Sequence, residues 1–140
     1  MRQDINKYFL SIAKTISTRS TCERKKVGCI IVRDKNILST GYNGSPAGLP
    51  HCEEVGCEIE NSSCIRTTHA EQNAICQAAK NGVSINNSIL YTTLFPCYTC
   101  AKMIINCGIK EIYFLEDYHS SRKSKDIFWQ RKINCYKILL

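Results

Sequence analysis

Two short stretches of the sequence contain residues that commonly bind transition metals. The first is an H-x-E pattern at His69 and Glu71, and the second is a P-C-x-x-C pattern at Pro96, Cys97 and Cys100. Histidine nitrogens and cysteine thiolates are preferred ligands of zinc, and three protein ligands leave a tetrahedral ion one open position for water. We therefore predict that His69, Cys97 and Cys100 hold a catalytic Zn²⁺.

Glu71 is expected to serve the proton chemistry of this site and not to bind the metal. Beside the ion, its carboxylate could take a proton from water whose pKa the metal has lowered toward neutrality. Either pattern alone is weak evidence, since an isolated C-x-x-C is more often structural. H-x-E followed by P-C-x-x-C is the signature of zinc nucleobase deaminases. The alternative is a structural zinc knuckle, which would leave Glu71 without a role.

The cysteine content is the most unusual feature of the composition. Ten cysteines occur among 140 residues, and without a secretory signal pattern metal binding is favoured over disulfides. Cys52, Cys57 and Cys64 lie in a segment without predicted secondary structure, which a second, structural zinc would order. Free or redox-active thiols are the alternative. Four cysteines in mostly apolar contexts are expected to be buried and inert: Cys29, Cys76, Cys107 and Cys135.

Composition and charge restrict the class of protein. Hydrophobic residues make up 44% and charged residues 22% of the chain, which excludes a disordered or low-complexity protein. No apolar run reaches the length of a membrane span, so we expect one soluble, cytoplasmic domain over residues 1–140. The formal net charge of +7 suits an anionic partner or a solvated basic face. Without an RNA-recognition signature, a nucleic-acid partner is not expected.

The amino-terminal half of the chain predicts a helix and a hairpin. Apolar residues recur at three- and four-residue steps over residues 5–16, which is typical of an amphipathic helix. Residues 27–32 are rich in β-branched side chains, residues 34–36 form a turn sequence, and apolar residues resume over 37–42, so a β-hairpin is predicted. Irregular structure is expected from there to residue 68.

The carboxyl-terminal half predicts alternating helices and strands. The predicted elements are a helix from residue 70 to about 81, a strand over 88–93, a helix over 97–107 with Pro96 in its first turn, and a strand over 110–115. A strand, helix and strand in this order form a βαβ unit, which implies parallel pairing. Residues 128–140 are expected to add a last helical turn and an edge strand.

Four stretches of the sequence carry further motifs: GYNGSP at 41–46, HAEQNAI at 69–75, YTTLFPC at 91–97 and CAK at 100–102. They closely resemble the deoxycytidylate (dCMP) deaminase family. The resemblance implies the cytidine deaminase fold, an α/β architecture of three αβα layers with a mixed five-stranded sheet flanked by helices. It also implies hydrolytic deamination of dCMP to dUMP with release of ammonia, which would supply dUMP for thymidylate synthesis.

The resemblance further implies residues that contact the nucleotide. Substrate contacts are expected from Asn43, Ala70 and Tyr118, and the amide of Asn43 suits discriminating hydrogen bonds. Arg24 is the expected phosphate ligand, because a planar guanidinium can bind phosphate through two hydrogen bonds. A solvated surface arginine is the alternative at that position.

Regulation and assembly are also suggested by the resemblance. Many members of the family are hexamers that dCTP activates and dTTP inhibits. The resemblance therefore allows a homohexamer in which Gly41, Asn43 and Gly44 contact an effector and Mg²⁺ accompanies dCTP.

A second zinc site is implied in the same way. Phage members of the family carry a structural zinc bound by cysteine and histidine, and Cys22 and Cys52 stand at matching places. Those relatives take their other ligands from a longer, histidine-containing insertion that this sequence lacks. We expect Cys57 and Cys64 to replace them, with His51 as the rival to one of the cysteines.

Two other functions are weighed against this one. A tRNA adenosine deaminase would share the H-A-E and P-C-x-x-C patterns and suit the basic charge. The GYNG stretch and the cysteines of residues 52–64 argue against it. A non-catalytic zinc module that binds nucleic acid is the alternative of a different class, and it predicts salt-sensitive binding without turnover.

Overall fold

A computed structural model describes residues 1–140 as five helices and seven strands. The helices are α1 (Ile5–Ser17), α2 (Cys52–Val55), α3 (Ala70–Lys80), α4 (Tyr98–Asn106) and α5 (Arg122–Gln130). The strands are β1 (Gly28–Arg33), β2 (Asn36–Tyr42), β3 (Ile59–Glu60), β4 (Ser63–Cys64), β5 (Ser88–Leu94), β6 (Ile109–Glu116) and β7 (Asn134–Lys137). None of the helices combines the length and the hydrophobicity that a membrane span requires.

Five of the strands form one mixed sheet, in the order β2-β1-β5-β6-β7. β1 pairs antiparallel with β2 and β5, whereas β5, β6 and β7 run parallel. The predicted hairpin turns at Asp34 and Lys35, whose φ angles of 51° and 63° fit a two-residue turn that matches the strand twist. The helix α4 connects the parallel strands β5 and β6, so the predicted βαβ unit is confirmed.

Helices cover both faces of this sheet and produce three layers. On one face, α1 packs Phe9 and Leu10 against Ile30 and Val32 of β1. On the other face, α3, α4 and α5 enclose a larger core of 16 buried residues. The expected αβα architecture is therefore confirmed. The helix α5 begins at Arg122, earlier than the last helical turn expected after residue 128.

The segment between β2 and α3 is more ordered than the irregular structure expected there. It contains the short helix α2 and the hairpin β3–β4, which turns at Asn61 and Ser62. Neither element has the apolar pattern of a buried helix or strand, because Val55 and Ile59 are exposed and Cys52 is the buried residue of α2. A periodicity argument therefore could not detect them.

The four cysteines expected to be buried and inert differ in exposure. Cys29 is buried, Cys107 and Cys135 are half-buried, and Cys76 is exposed. On α3, Ala74 and Ala78 are buried, and a residue two positions from either points about 200° away around the helix axis. The prediction of a buried thiol at Cys76 is therefore wrong.

The carboxyl ends of β5 and β6 lie side by side. The N–H group of Phe95, directly after β5, donates to the carbonyl of Glu116 at the end of β6 with a length of 2.9 Å. In open α/β sheets, ligands bind outside the carboxyl ends of the parallel strands. The loops that follow these two strands are therefore the expected place for a functional site.

Candidate active site

The three ligands predicted for the first metal site meet where α3 and α4 begin. His69 and Cys97 are the N-cap residues of these helices, and Cys100 lies in the first turn of α4. Pro96 precedes the N-cap and lies just outside the helix, instead of in its first turn as predicted. The convergence of two helix starts brings together ligands that are far apart in sequence.

The distances between the ligand atoms fit a tetrahedral zinc ion. Nδ1 of His69 lies 3.4 Å from Sγ of Cys97 and 3.3 Å from Sγ of Cys100, and all three atoms lie within 4.8 Å of one another. Zinc bonds of about 2.0 Å to nitrogen and about 2.3 Å to sulfur, at tetrahedral angles, place such atoms about 3.6 Å apart. His69 is exposed, so the cluster is open to solvent on one side.

The surroundings favour the thiolate form of Cys97. Its pKa is lowered to about 4, because Cys100 donates a hydrogen bond to the thiolate and His69 stabilises it further. The same contact with Cys97, together with burial, raises the pKa of Cys100. Without a metal the two cysteines therefore share one proton, which a metal ion binding to both sulfurs would displace.

Glu71 is buried in the first turn of α3, two residues after His69. Burial raises the pKa of its carboxyl group to about 7. A group with a pKa near neutrality can both accept and return a proton. The carboxylate oxygens of Glu71 do not belong to the group of ligand atoms formed by His69, Cys97 and Cys100. It is therefore placed to exchange protons beside a metal site without being a ligand.

Hydrogen bonds from the sheet side hold the amino end of α3 in place. Gly44 and Thr68 exchange two backbone hydrogen bonds of 3.2 and 2.8 Å, directly before His69. The side-chain amide of Asn73 donates to the carbonyl of Tyr42 at 2.8 Å. These contacts connect the GYNG stretch to the helix that carries the H-x-E pattern.

Gly41 on β2 allows α3 to approach the sheet closely. A Cβ atom at this position would overlap the carbonyl oxygen of Ala70 and lie 2.6 Å from the backbone nitrogen of Ala74. Both are backbone atoms of α3, so the overlap can be relieved only by moving the helix. The structure therefore gives Gly41 a packing role beneath the helix that carries Glu71.

The Gly41→Ala variant is expected to lower the free energy of unfolding by about 1–3 kcal/mol, the usual cost of an overpacked contact. Urea unfolding of the zinc-loaded protein measures this effect. Gly44→Ala is the matched control, since its added Cβ would first meet the Thr21 hydroxyl at 3.1 Å, a side chain that can move. An equal loss in the two variants would argue against the close approach of α3 as the reason for glycine at position 41.

Cys52, Cys57 and Cys64 form a second group of potential metal ligands. Their sulfur atoms lie within 4.8 Å of one another, and those of Cys52 and Cys64 are 3.7 Å apart. This separation is far too long for a disulfide bond and matches the distance of about 3.8 Å between two sulfurs on a tetrahedral zinc ion. The cluster joins α2, the following loop and β4.

Cys22 and His51 are the two candidates for a fourth ligand of this cluster. Burial raises the pKa of Cys57, and the charge of the nearby Cys22 adds to this effect. Cys22 is buried, although its sulfur lies outside the set of three that share the close spacing. Nδ1 of His51 is 2.8 Å from the Thr21 hydroxyl, a hydrogen bond that competes with metal binding at that atom. Cys22 is thus the better candidate for a fourth ligand.

The side chain of Asn43, an expected substrate contact, holds the loop that precedes β1. Its amide donates to the carbonyl of Lys25 at 2.6 Å and accepts from the N–H group of Val27 at 2.8 Å. An amide has a second N–H and a second lone pair, so these bonds leave capacity for a ligand. Ala70 packs its methyl group into the main core, which leaves only its backbone for a substrate contact.

Arg24 and Tyr118, the other expected substrate contacts, lie in different places. Arg24 is exposed, and its guanidinium donates to the carbonyl of Ser62 in the β3–β4 turn at 3.3 Å. Tyr118 lines a cleft of about 800 Å³ beside Cys97, and Arg24 is not among the residues that line it. The structure therefore does not bring these two residues together in that cleft.

Residues that sequence analysis did not assign form much of this cleft. One wall is Cys97, Tyr98 and Thr99, and the other is formed by side chains between Tyr118 and Asp126. The order of the strands could have indicated this second wall, because its residues directly follow β6, which runs parallel to β5. Ligands bind at the carboxyl ends of such parallel strands. The cleft thus lies at the sheet edge where both parallel strands end.

The amino-acid sequence is similar to that of several known proteins. Residues 3–116 match the cytidine and deoxycytidylate deaminase zinc-binding region. ComE operon protein 2 of Bacillus subtilis is 42% identical over 135 residues, which are 96% of this chain and 71% of that protein. The deoxycytidylate deaminase of Schizosaccharomyces pombe is 36% identical over 129 residues, which are 84% of this chain and 39% of that protein. This chain therefore spans well under half of the yeast relative.

A solved structure matches nearly the whole chain. The dCMP deaminase from the cyanophage S-TIM5, crystallised with dCMP and dUMP, is 35% identical to it and superimposes with a TM-score of 0.86. The match covers 99% of this chain and 99% of the phage chain. The two chains therefore share one topology.

Proposed function

The chain belongs to the cytidine and deoxycytidylate deaminase family, and we propose that it catalyses the hydrolytic deamination of dCMP to dUMP with release of ammonia. The observation that carries the proposal is the likeness over 99% of both chains to the cyanophage enzyme solved with dCMP and dUMP. The site adds support, because three converging ligands fit zinc and the buried Glu71 beside them fits proton transfer.

The roles of the residues follow from their chemistry. His69, Cys97 and Cys100 hold Zn²⁺, which as a Lewis acid lowers the pKa of water toward neutrality. Glu71 accepts the proton that water loses as it attacks the ring carbon bearing the exocyclic amine. The same carboxyl group delivers this proton to the ring nitrogen. It then takes the second proton from the hydroxyl group now on the ring carbon and delivers it to the amine, so that the carbon–nitrogen bond breaks and ammonia leaves. A pKa of about 7 suits both directions of transfer.

An ultraviolet absorbance assay of the zinc-loaded protein tests the proposal. dCMP should be converted faster than cytidine, deoxycytidine or a tRNA adenosine substrate. Turnover of the tRNA substrate in place of dCMP would favour a tRNA adenosine deaminase. Bound zinc with no turnover of any substrate would favour the non-catalytic nucleic-acid-binding module.

A second, structural zinc is proposed at Cys52, Cys57 and Cys64, with Cys22 as the fourth ligand. The sulfur separation of 3.7 Å between Cys52 and Cys64 supports it. The segment between β2 and α3 contains these three cysteines. Its large apolar side chains, such as Val55, Ile59 and Ile65, are exposed, so the segment has no hydrophobic core of its own. Four protein ligands leave no open position, which is typical of structural sites.

The Cys64→Ser variant is expected to reduce the zinc content from two ions per chain to one. The melting temperature should fall by about 5 °C or more, because the segment loses the ion that orders it. Metal analysis after gel filtration and a thermal melt measure these effects. Cys76→Ser, which changes an exposed thiol on α3, should keep both ions. Two ions in the Cys64→Ser protein would rule out the second site as described.

Regulation and assembly extend the proposal. The family implies a cytoplasmic homohexamer that dCTP with Mg²⁺ activates and dTTP inhibits, with effector contacts at Gly41, Asn43 and Gly44. The backbone bonds between Gly44 and Thr68 support this, since they connect the effector stretch to the residue before His69. The product dUMP would supply thymidylate synthesis.

The substrate contacts and the domain organisation are proposed on similar grounds. Tyr118 lines the same cleft as Cys97, which supports a substrate contact from its ring. The proposed contacts are Arg24, Asn43, Ala70 and Tyr118. One deaminase domain over residues 1–140 is supported by the five-stranded sheet, whose strands span both halves of the chain.

A further inference from the structure

The cluster of Cys52, Cys57 and Cys64 holds reduced thiols close enough to react with one another. The three sulfur atoms lie within 4.8 Å of one another, and Sγ of Cys52 is 3.7 Å from Sγ of Cys64. All three cysteines are free in the structure. A disulfide bond requires a separation of about 2.05 Å, so the sulfurs of Cys52 and Cys64 would have to approach by only about 1.7 Å.

The backbone that carries these two sulfurs belongs to short elements. Cys52 begins α2, which has four residues, and Cys64 ends β4, which has two. The large apolar side chains nearby in sequence, Val55, Ile59 and Ile65, are exposed, so no packed core holds the elements in place. Segments with few buried apolar contacts rearrange at a low cost in free energy. The two sulfurs can therefore meet without a change in the main sheet.

A small oxidant can reach the cluster from solvent. Cys57 and Cys64 are half-buried, whereas Cys52 is buried. The neighbours of Cys64 in the chain, Ser63 and Ile65, are exposed. A peroxide oxidises an accessible thiolate first, and a neighbouring thiol then converts the product to a disulfide. Cys64 is therefore the expected point of attack, and Cys52 is the thiol in contact with it.

The ligand set proposed for the second zinc makes its thiolates more reactive than those of the first cluster. Zinc bound by four thiolates carries two negative charges, whereas zinc bound by His69, Cys97 and Cys100 is neutral. The excess negative charge leaves more electron density on each sulfur. Because the thiolate is the nucleophile that attacks a peroxide, the second site should react first.

We propose that Cys52 and Cys64 form a site of reversible oxidation, at which a hydroperoxide joins the two sulfurs and releases the second zinc ion. The inference rests on the second zinc proposed above and not on the deaminase activity. A disulfide no longer supplies the two thiolates that the metal needs, so the remaining cysteines hold the ion weakly.

The reaction has two steps. The Cys64 thiolate attacks a peroxide oxygen, the O–O bond breaks, and Cys64 becomes a sulfenic acid. The Cys52 thiolate then attacks that sulfur, the S–S bond forms, and hydroxide leaves. Each departing oxygen takes a proton from solvent. The two sulfurs together lose two electrons, and the peroxide gains them, so hydrogen peroxide yields two water molecules.

Treatment of the zinc-loaded wild-type protein with hydrogen peroxide tests the proposal. A chromogenic chelator follows the released zinc, and alkylation with peptide mapping locates the disulfide. We expect a disulfide between Cys52 and Cys64 and loss of about one zinc ion per chain, about tenfold faster than loss of the other ion. Dithiothreitol with added zinc should restore the metal content. A disulfide between Cys97 and Cys100 that forms first would overturn the proposal.

A matched control removes a thiol outside both clusters. Cys76 is exposed on α3 and belongs to neither group of potential ligands. The Cys76→Ser protein should release the same zinc at the same rate as the wild type. A large loss of zinc release in this variant would overturn the proposal, because the oxidant would then act through Cys76.

Metal analysis before oxidation separates this inference from the second zinc itself. One zinc ion per chain in the untreated wild type would reject the second site and with it the release of zinc. Peptide mapping after peroxide treatment would still decide whether the two sulfurs join. A disulfide between Cys52 and Cys64 supports the oxidation site, and recovery of both as alkylated thiols or as sulfinic acids overturns it. Neither result depends on turnover of dCMP.

Discussion

The Glu71→Gln variant is expected to lose deamination while keeping its metal. Glutamine has the shape of glutamate but cannot accept the proton of the attacking water. General acid–base catalysis contributes about 10² to 10⁴ in rate, and a residue that serves in both directions should lie at the upper end. We expect kcat for dCMP to fall about a thousandfold or more, measured by the loss of cytosine absorbance. The affinity for dCMP should change little.

Two measurements distinguish a loss of proton transfer from a loss of zinc or of the folded structure. The zinc content of Glu71→Gln should equal that of the wild type, because Glu71 lies outside the ligand cluster. Its melting temperature should not fall. Burial raises the pKa of Glu71 from 4.5 to about 7, so ionisation of this carboxyl group costs stability progressively between these pH values, and glutamine avoids that cost. A near-normal rate in this variant would show that another group takes the proton.

The Cys100→Ser variant is expected to lose the zinc of the ligand cluster and all measurable turnover. Its Sγ lies 3.3 Å from Nδ1 of His69 and is fully buried. A serine hydroxyl is a poor replacement for a thiolate on zinc, and two remaining ligands hold the ion weakly. Metal analysis should find one zinc per chain, the ion of the second cluster. Retention of both ions with full activity would remove Cys100 from the metal site.

Matched variants separate metal loss from misfolding. Cys97→Ser changes a half-buried ligand of the same cluster and should show the same loss of metal and activity. Cys64→Ser should lose the other ion and keep turnover at low temperature. Cys76→Ser changes an exposed cysteine and should behave as the wild type. Loss of activity in the Cys76→Ser protein would mean that thiol replacement in itself is harmful.

Local patterns carried enough information to predict most of the fold. The apolar spacing of residues 5–16 reflects one buried face of α1, and the β-branched run at 27–32 reflects a central strand. The cluster proposed to bind the metal could also be predicted from the sequence. His69 and Cys97 each stand directly before a helix, so their motifs coincide with local boundaries that the sequence marks.

Features that depend on contacts between residues far apart in the chain could not be predicted from the sequence. Gly41 must be a glycine because α3 approaches it, and nothing near position 41 encodes that approach. The charged wall of the cleft includes Lys125, which pairs with Asp117 at 2.7 Å across the turn between β6 and α5. The exposure of Cys76 depends on which face of α3 meets the sheet. Each of these follows from packing partners that periodicity cannot identify.

We expect the cluster of His69, Cys97 and Cys100, together with Glu71, to deaminate dCMP. The most direct measurement is the yield of dUMP and of ammonia from dCMP with zinc-loaded wild-type protein, followed in parallel by chromatography and an ammonia assay. We predict equal amounts of the two products, formed over many turnovers and abolished when a chelator removes the metal. Zinc-loaded protein that forms neither product would show that this cluster does not deaminate dCMP, and turnover that persists after complete removal of the metal would show that the reaction does not need the ion.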